Sequence, residues 1–317
     1  LASSSHISGQ TISNRLGVSR TAIWKAVNAL KNDGYNIESV NNRGYLLLEN
    51  KGILNRIEIE QCMHSYKYKT LPTVIYFNQI DSTNTYAKKA SDSITSDFLV
   101  VANTQTLGKG RLGRSWTSPG TTSISMSLCI RPDLPLEKAS MITLVMAASL
   151  CDAIEELYST KPLIKWPNDI VVNSKKICGI LTEMSSDMDG IKYIISGVGI
   201  NVNNDAFPAD IANTASSLLI ETGIVMDRAR LIASVIYHFY ENFDIFLQTE
   251  DMTSIKAKYE SHLANVGRKV RILDPKGEYN ATALGIDETG ALLVNANGKI
   301  KRIISGEVSV RGLYGYT

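Results

Sequence analysis

The chain of 317 residues has little cysteine, and its four cysteines (Cys62, Cys129, Cys151 and Cys178) are far apart in the sequence. No CxxC pair or histidine-rich segment accompanies them, which argues against a disulfide scaffold or a zinc finger. The sequence also lacks an apolar run of the roughly 18 residues that would span a bilayer, and no signal-peptide pattern opens it. We therefore expect reduced thiols, a cytoplasmic location and no membrane partner.

An excess of charge of one sign is absent as well. Lysine and arginine number 33 against 31 aspartate and glutamate, a net charge of +2, which excludes a generic polycation but not a local basic face. Hydrophobic residues make up 44% and charged residues 20%, as in ordinary globular proteins. At roughly 100–200 residues per domain, the length predicts about two or three domains.

Residues 1–50 have the pattern of two short helices followed by a hairpin. Apolar residues recur mostly three or four apart on either side of Gly17 and Ser19, which suit a tight turn and a helix cap. An Asn-Asn-Arg-Gly turn signal at 41–44 then joins two short strands. This order predicts a winged helix-turn-helix whose first helix is truncated, because the chain begins at Leu1.

A winged helix-turn-helix places its second helix in the major groove of DNA. Residues 1–50 contain five lysine or arginine and three acidic residues, a weak electrostatic footprint for a monomer that a dimer would double. A role in protein contact is the alternative. The side chains expected to face DNA are Ser19, Arg20, Thr21, Trp24, Lys25, Asn28 and, in the wing, Arg43.

The rest of the chain divides into three further segments. Residues 51–72 are predicted as a linker that carries a helix. Residues 73–266 alternate strand and helix patterns and predict a mixed α+β sheet covered by helices. Residues 267–317 predict strands joined by short turns, as in a small SH3-like β-barrel.

The segment Gly108-Lys109-Gly110-Arg111-Leu112-Gly113-Arg114 contains three glycines and three cations. Glycine lets the backbone approach an anion closely, and cations neutralise the anion. The pattern favours a loop that closes over a phosphate or carboxylate, with a solvated basic loop as the alternative. The spacing of a P-loop is absent.

Two later motifs place polar groups at the ends of apolar strands. In KWPND (165–169), an amide and a carboxylate follow Pro167 and could orient a nucleotide or its metal ion; simple turn chemistry is the alternative. In KKICGIL (175–181), Lys176 could bring a positive charge to a reacting centre, or be solvated. Cys178 is expected to be a core residue and not a nucleophile.

Two more motifs suit close approach of a ligand. The glycines of GVGINVN (197–203) permit it at a strand end, or they mark a bulge. The segment Asp81-Ser82-Thr83-Asn84 precedes a helix and offers either a cap or a helix N-terminus for polar ligands.

The order of DSTN (81–84), Gln105, GKGRLGRSW (108–116), KWPND, KKICGIL and GVGINVN resembles the biotin protein ligase family. With the winged helix, the whole chain resembles the bifunctional members that also repress the biotin operon. Lys109 stands where the family usually has arginine, a change that keeps the charge but loses bidentate hydrogen bonding.

The resemblance implies a reaction in two steps. Biotin and ATP, accompanied by Mg²⁺, give biotinyl-5′-AMP, and biotin then passes to a lysine of a biotin carboxyl carrier domain. It also implies that the adenylate-bound form dimerises and represses genes of biotin synthesis and transport by binding operator DNA. The alternatives are a lipoate or octanoyl ligase-type acyltransferase and a ligand-sensing regulator without catalysis.

The resemblance also implies roles for individual residues. The residues implied for biotin binding are Ser82, Thr83, Asn84, Gln105, Lys109, Gly110, Arg111, Lys176, Gly179 and Gly197. Those implied for nucleotide binding are Arg111, Arg114, Trp116, Asn168, Asp169 and Asn201. Those implied for catalysis are Arg111, Lys176 and Lys165. Residues 203–216 are expected to order over the adenine.

Overall fold

The computed structural model describes residues 5–32, 34–48, 52–117, 120–273, 277–304 and 309–312. The chain divides into two compact units, Leu1–Ile53 and Leu54–Thr317. The predicted truncation of the first helix and most of the predicted turn at 274–277 fall outside the described residues. Within the described part of the chain, no helix is long and apolar enough to cross a membrane.

The smaller unit is a helix-turn-helix followed by a hairpin. Its elements are α1 (Gly9–Leu16), α2 (Arg20–Asn32), β1 (Ile37–Val40) and β2 (Gly44–Leu47). Gly17 ends α1 in the left-handed region, with φ of 67°, which glycine adopts at little cost. Ile23 and Val27 of α2 are buried against Tyr35 and Ile37. The predicted winged helix-turn-helix is therefore confirmed.

The hairpin of the smaller unit needs a glycine at its turn. β1 and β2 are antiparallel, and Gly44 has φ of 103°. A Cβ atom there would lie 2.1 Å from the carbonyl oxygen of Ile7. Ile7 and Tyr45 exchange two backbone hydrogen bonds of 2.9 Å, so the segment before α1 is fixed to the wing.

The larger unit contains a mixed sheet, helices and a second sheet. Its elements in chain order are α3 (Arg56–His64), β3 (Thr73–Ile80), α4 (Thr83–Ala90), β4 (Phe98–Gln105), β5 (Ser123–Ile130), α5 (Ile142–Leu157), β6 (Leu163–Lys165), β7 (Asp169–Val172), β8 (Lys175–Asp187), β9 (Gly190–Asn201), α6 (Leu218–Thr222), α7 (Arg228–Phe246), α8 (Lys256–Ser261), β10 (Lys269–Leu273), β11 (Tyr279–Ile286), β12 (Leu292–Ala296), β13 (Lys299–Ile303) and β14 (Ser309–Gly312).

The first sheet has seven strands in the order β3-β4-β5-β9-β8-β7-β6. The pair β3–β4 is parallel and the other pairs are antiparallel, which confirms the predicted mixed sheet. Helix α4 packs on one face, and α5 and α7 pack on the other. All eight residues of β5 are buried because this strand is covered on both faces.

Residues 51–72, predicted as a linker, carry α3. Ile59 and Met63 of α3 are fully buried in the core of the larger unit, and α3 packs against α7. The apolar positions of this short helix therefore serve the larger unit as core residues.

The C-terminal sheet is antiparallel, with strand order β13-β12-β11-β10-β14. Its first four strands match the predicted ones, whereas β14 was not predicted because its four residues, SVRG, show no alternating apolar pattern. Among the contacts between this sheet and the rest of the larger unit is one made by Glu260 of α8, whose Oε1 accepts a 2.8 Å hydrogen bond from the backbone N–H of Ile286.

Candidate active site

A small pocket of about 50 Å³ lies where α4 begins, β4 ends and β8 and β9 pass side by side. The loop 108–116 covers it. All ten residues implied for biotin binding line this pocket, although they come from five segments of the chain. Asn168 and Trp116, implied for the nucleotide, line it too.

One side of the pocket is the N-terminus of α4 joined to the end of β4. Ser82 is the N-cap of α4. The backbone N–H of Thr83 donates to Gln105 Oε1 at 2.8 Å, and Thr83 Oγ1 donates to the same oxygen at 3.0 Å. These two bonds fix which end of the Gln105 amide faces α4.

Two further residues, Ser127 and Glu183, belong to this network, and neither was predicted from the sequence. Ser127 Oγ of β5 lies 2.6 Å from Asn84 Oδ1 and 2.7 Å from Thr83 Oγ1. On the other side, Asn84 Nδ2 donates to Glu183 Oε2 at 2.8 Å. The signal for Ser127 was present, since serines alternate with apolar residues along SISMSLCI of β5.

Two glycines of β9 leave space for the side chains above the sheet. A Cβ atom at Gly197 would lie 2.1 Å from Asn84 Oδ1, and one at Gly199 would lie 2.3 Å from Cε2 of the Trp116 indole. The space above these glycines is thus occupied by side chains of the chain itself, and the predicted close approach of a ligand stays a prediction. Trp116 Nε1 is buried and has no hydrogen-bond partner among the described residues.

The glycine-rich loop holds a definite shape. The backbone N–H of Gly110 donates to the carbonyl of Arg114 at 2.7 Å, and that of Trp116 donates to the carbonyl of Gly108 at 2.9 Å. Leu112 and Gly113 turn the chain with φ of 56° and 72°. Leu112 is 70% exposed, so an apolar side chain caps the loop on its solvent side.

Arg111 turns inward from this loop to the KWPND motif. Its Nη1 donates to Asn168 Oδ1 at 2.8 Å, and Asn168 Nδ2 donates to the carbonyl of Ile180 at 3.0 Å. Burial lowers the pKa of Arg111, and the Asp169 carboxylate partly offsets that effect. The guanidinium stays charged because its ordinary pKa lies far above neutrality.

A second cation faces the pocket from β8. Lys176 Nζ lies 2.6 Å from Asp169 Oδ1 and 5.8 Å from the centre of the Trp116 ring. A Cβ atom at Gly179 would lie 3.0 Å from Lys176 Nζ, so glycine provides the space in which the ammonium sits. The carboxylate and the indole together hold this charge in one place.

Three residues implied for the site sit elsewhere in the described structure, outside the lining of the pocket. Lys165 is buried in β6, where its backbone pairs with Asp169 of β7. Asn201 is buried at the end of β9, where its Nδ2 donates to the carbonyl of Ser216 at 3.1 Å. Arg114 is exposed and lines a neighbouring groove of about 870 Å³.

Asp169 also lies outside the pocket lining, and its carboxylate contacts Lys176, which does line the pocket. The prediction for Cys178 agrees with the structure, since this thiol is fully buried and burial raises its pKa well above the ordinary value. Among the described residues, no three histidine, cysteine or acidic side chains converge as a metal site would require.

In the smaller unit, the predicted DNA-facing residues share one exposed face. Ile23 and Val27 point into the core, and the opposite side of α2 is open. Trp24 is 57% exposed, which is unusual for the largest apolar side chain. The other residues of this face are Ser19, Arg20, Thr21, Lys25 and, half-buried, Asn28, with Arg43 exposed in the wing.

Comparison with known sequences matches three families along the chain. The Biotin/lipoate A/B protein ligase family matches residues 76–201, an HTH domain matches residues 1–46, and the Biotin protein ligase C terminal domain matches residues 266–311. Fold and site together define a protein ligase of the biotin/lipoate type that carries a helix-turn-helix domain.

Two relatives extend over nearly the whole chain. The Bifunctional ligase/repressor BirA of Bacillus subtilis (strain 168) is 38% identical over 314 residues, which are 98% of this chain and 95% of that protein. The BirA protein of Salmonella typhimurium is 31% identical, again over 98% of this chain and 95% of the relative. The chain belongs to this family of bifunctional ligase/repressors.

A solved structure agrees with the fold. The biotin protein ligase from Aquifex aeolicus, in complex with biotin and ATP, superposes with a TM-score of 0.67 and is 31% identical. It covers 76% of this chain, and all of that protein is matched.

Proposed function

We propose that the chain is an ATP-dependent biotin protein ligase that forms biotinyl-5′-AMP and transfers biotin to a carrier lysine, and that it represses biotin genes as an adenylate-bound dimer. The ligase function is supported by two features of the pocket. Its floor is the hydrogen-bond network of Thr83, Asn84, Gln105 and Ser127, which is rich in acceptors. Beside the floor, Arg111 and Lys176 are two cations held in fixed positions. The names of its relatives support both functions.

The hydrogen-bond network of the floor suits the ureido ring of biotin. Gln105 Oε1 already accepts two hydrogen bonds from Thr83. The single hydroxyl proton of Ser127, in contrast, lies between two acceptors, Asn84 Oδ1 and Thr83 Oγ1. Lone pairs are therefore left to accept hydrogen bonds from N–H groups of a ligand. The ureido ring has two such groups, whereas the dithiolane ring of lipoate has none, so this floor favours biotin.

The first step brings the carboxylate of biotin against the α-phosphate of ATP. A carboxylate oxygen attacks the α-phosphorus, the bond to the bridging oxygen breaks, and pyrophosphate leaves. Lys176 and Arg111 reduce the repulsion between the two anions and stabilise the charge that builds up as they meet. Asp169 and Asn168 hold these two cations in place before the substrates arrive.

Mg²⁺ enters as the companion of ATP. Magnesium usually binds one or two carboxylates together with substrate phosphates. The carboxylate of Asp169 is engaged by Lys176 in this structure. Near the pocket, the protein therefore neutralises the substrate charges with cations, Lys176 and Arg111. We expect Mg²⁺ to arrive bound to ATP, so that MgATP is the substrate.

The loop 108–116 protects the product of the first step. Four residues of the loop (Lys109, Gly110, Arg111 and Trp116) line the pocket, so the loop lies where it can cover bound biotin. With the loop closed, Trp116 forms a wall beside the mixed anhydride and excludes water.

In the second step the amine of a carrier lysine attacks the acyl carbon, and AMP leaves with the electrons of the broken bond.

The smaller unit supplies the repressor function. The exposed face of α2 reads operator DNA, and Arg43 of the wing touches phosphate. A dimer would present two such faces to a pair of half-sites, which a unit with so few basic residues needs for affinity.

The biotin carboxyl carrier domain of a carboxylase is the protein partner. The cytoplasm, where such carriers and ATP occur, is the expected location.

The test is exchange of labelled pyrophosphate into ATP, measured with biotin, with lipoate and with no acid. Exchange that depends on biotin, followed by transfer to a carrier domain, is the expected result. Exchange that depends on lipoate would show an acyltransferase of the other specificity. Binding of operator DNA without any exchange would show a regulator without catalysis.

A further inference from the structure

The KWPND corner of the active site is attached to the C-terminal sheet by one buried hydrogen bond. Trp166 is 2% exposed, and its Nε1 donates to the carbonyl oxygen of Gly290 at 3.0 Å. The two residues are 124 positions apart in the sequence. An indole has a single N–H donor, so this bond fixes the orientation of the ring.

Gly290 lies in the turn that joins β11 to β12, and the side chain of Asp287 stabilises this turn by hydrogen bonds. Asp287 Oδ1 accepts hydrogen bonds from Thr289 N at 2.9 Å, Thr289 Oγ1 at 2.7 Å and Ala291 N at 3.0 Å. Arg302 of β13 donates from Nε to Asp287 Oδ2 at 2.5 Å and from Nη2 to Thr289 Oγ1 at 2.8 Å. The carbonyl of Gly290 is therefore presented by a rigid support.

Gly290 has a backbone conformation that residues with a side chain rarely adopt. Its φ is 78°, and a Cβ atom would lie 2.7 Å from Leu144 Cδ2 of α5. The turn therefore packs closely on α5 as well as being held by the hydrogen bonds of Asp287.

On the other side of the bond, Trp166 is two residues before Asn168. Asn168 exchanges two hydrogen bonds with Ile180: its Nδ2 donates to the carbonyl at 3.0 Å, and its own carbonyl accepts from Ile180 N at 2.9 Å. Its side-chain oxygen, Oδ1, accepts a hydrogen bond from Arg111. Any shift of the corner would therefore move the acceptor that orients Arg111.

We propose that Trp166 is a positioning residue for the active-site loop and that the turn 287–290 is its anchor. A contact made by the C-terminal sheet thereby sets where Arg111 stands over the adenylate. The proposal rests on the proposed function, because its consequence is how long the enzyme retains biotinyl-5′-AMP.

The main variant is Trp166→Phe, which removes the N–H and keeps an aromatic ring. A net hydrogen bond is worth about a fivefold factor, so we expect release of the adenylate, measured without a carrier, to become about fivefold faster. The KM for biotin is expected to rise less than the release rate, because most residues implied for biotin, such as Thr83 and Gln105, lie on other elements than the loop. A general loss of packing would raise KM and release by similar factors.

A double-mutant cycle tests the route through Arg111. In an Arg111→Ala background, Trp166→Phe is expected to add nothing to the release rate, because the group it positions is gone. Full additivity of the two effects would overturn the proposal, as would a Trp166→Phe enzyme that retains its adenylate like the wild type.

A second variant tests the anchor without changing the buried Trp166, so that misfolding of a core variant cannot explain the result. Arg302→Gln loosens the turn from outside and is expected to speed adenylate release in the same direction. Arg271→Gln is the matched control, an exposed arginine of the same sheet whose carboxylate partner, Glu278, is 3.8 Å away, and it should release adenylate at the wild-type rate. Equal release from both variants would overturn the anchoring role. A wild-type chain without biotin-dependent exchange would instead overturn the proposed function and this role with it.

Discussion

Arg111 and Asn168 lie 57 positions apart in the sequence, and a hydrogen bond of 2.8 Å joins them above the pocket. The bond links the glycine-rich loop to the KWPND corner, the two motifs that stand out most in the sequence. It holds a charged side chain in a half-buried position, where its interaction with an anion is stronger than it would be in water.

Replacement of Arg111 by alanine is expected to release biotinyl-5′-AMP early. The loop loses its bond to the corner and its charge over the phosphate, so free adenylate should form about tenfold faster, the equivalent of about 1.4 kcal/mol. Biotinylation of proteins that are not carriers, detected by avidin blotting, should rise. An Arg111→Ala enzyme that retains adenylate as tightly as the wild type would disprove the role of the loop.

Replacement of Lys176 by alanine is expected to impair the first step. It removes a charge that points at the reacting centre, and removal of one such group typically costs about 10²–10³-fold in rate. Biotin-dependent pyrophosphate exchange measures this step directly. Lys175→Ala is the control, because this neighbouring lysine reaches the carbonyl of Ala212 and does not line the pocket; equal losses in both variants would contradict the assignment.

Gly197→Ala is expected to weaken biotin binding about tenfold. The new Cβ would lie 2.1 Å from Asn84 Oδ1, and Asn84 cannot move without breaking its bonds to Ser127 and Glu183. Overpacking of this kind costs about 1–3 kcal/mol. Titration calorimetry with biotin checks the result. Gly9→Ala in the smaller unit, where the nearest atom would be at 3.4 Å, should leave biotin affinity unchanged.

Stability should depend on pH through Asp287. Burial alone would raise the pKa of this carboxyl, but hydrogen bonds from Thr289, Arg302 and the backbone lower it below its ordinary value. A lowered pKa in the folded state adds stability above the unfolded pKa of about 3.9 and loses it as the pH falls through the folded pKa.

Asp287→Asn should therefore unfold more easily than the wild type at pH 7, by about 1–3 kcal/mol. The difference should shrink below about pH 4, where the wild-type carboxyl takes up its proton. Urea unfolding at several pH values measures it. A difference that stays constant down to acid pH would mean that the charge of Asp287 contributes nothing.

Arg43→Ala in the wing should weaken DNA binding evenly across sequences. Loss of one phosphate contact lowers the slope of log affinity against log salt by about one. The measurement uses DNA that the wild-type protein, supplied with biotin and ATP, selects from a random library. Lys67→Ala, an exposed lysine of the larger unit, should leave the slope unchanged; an unchanged slope in Arg43→Ala would exclude the phosphate contact.

That the ten residues implied for biotin lie together was predictable because short motifs carry them, and all ten line one pocket; their role in binding biotin stays a prediction. Lys165 and Asn201 stand in equally specific motifs, yet both are buried and neither is among the residues that line the pocket. A motif determines which residues are near a site, whereas the direction of each side chain depends on strand twist and packing. Ser127 reaches the site from a strand with no motif of its own.

The sequence by itself determined the order of elements, the winged helix-turn-helix, the mixed sheet and the loop with its cations, because periodicity, turn residues and local charge are properties of neighbouring residues. Only the tertiary structure decided that α3 belongs to the core of the larger unit, that Glu183 holds Asn84, and that the C-terminal sheet holds Trp166. These are contacts between distant parts of the chain. They depend on how the sheets twist and pack, which no local pattern specifies.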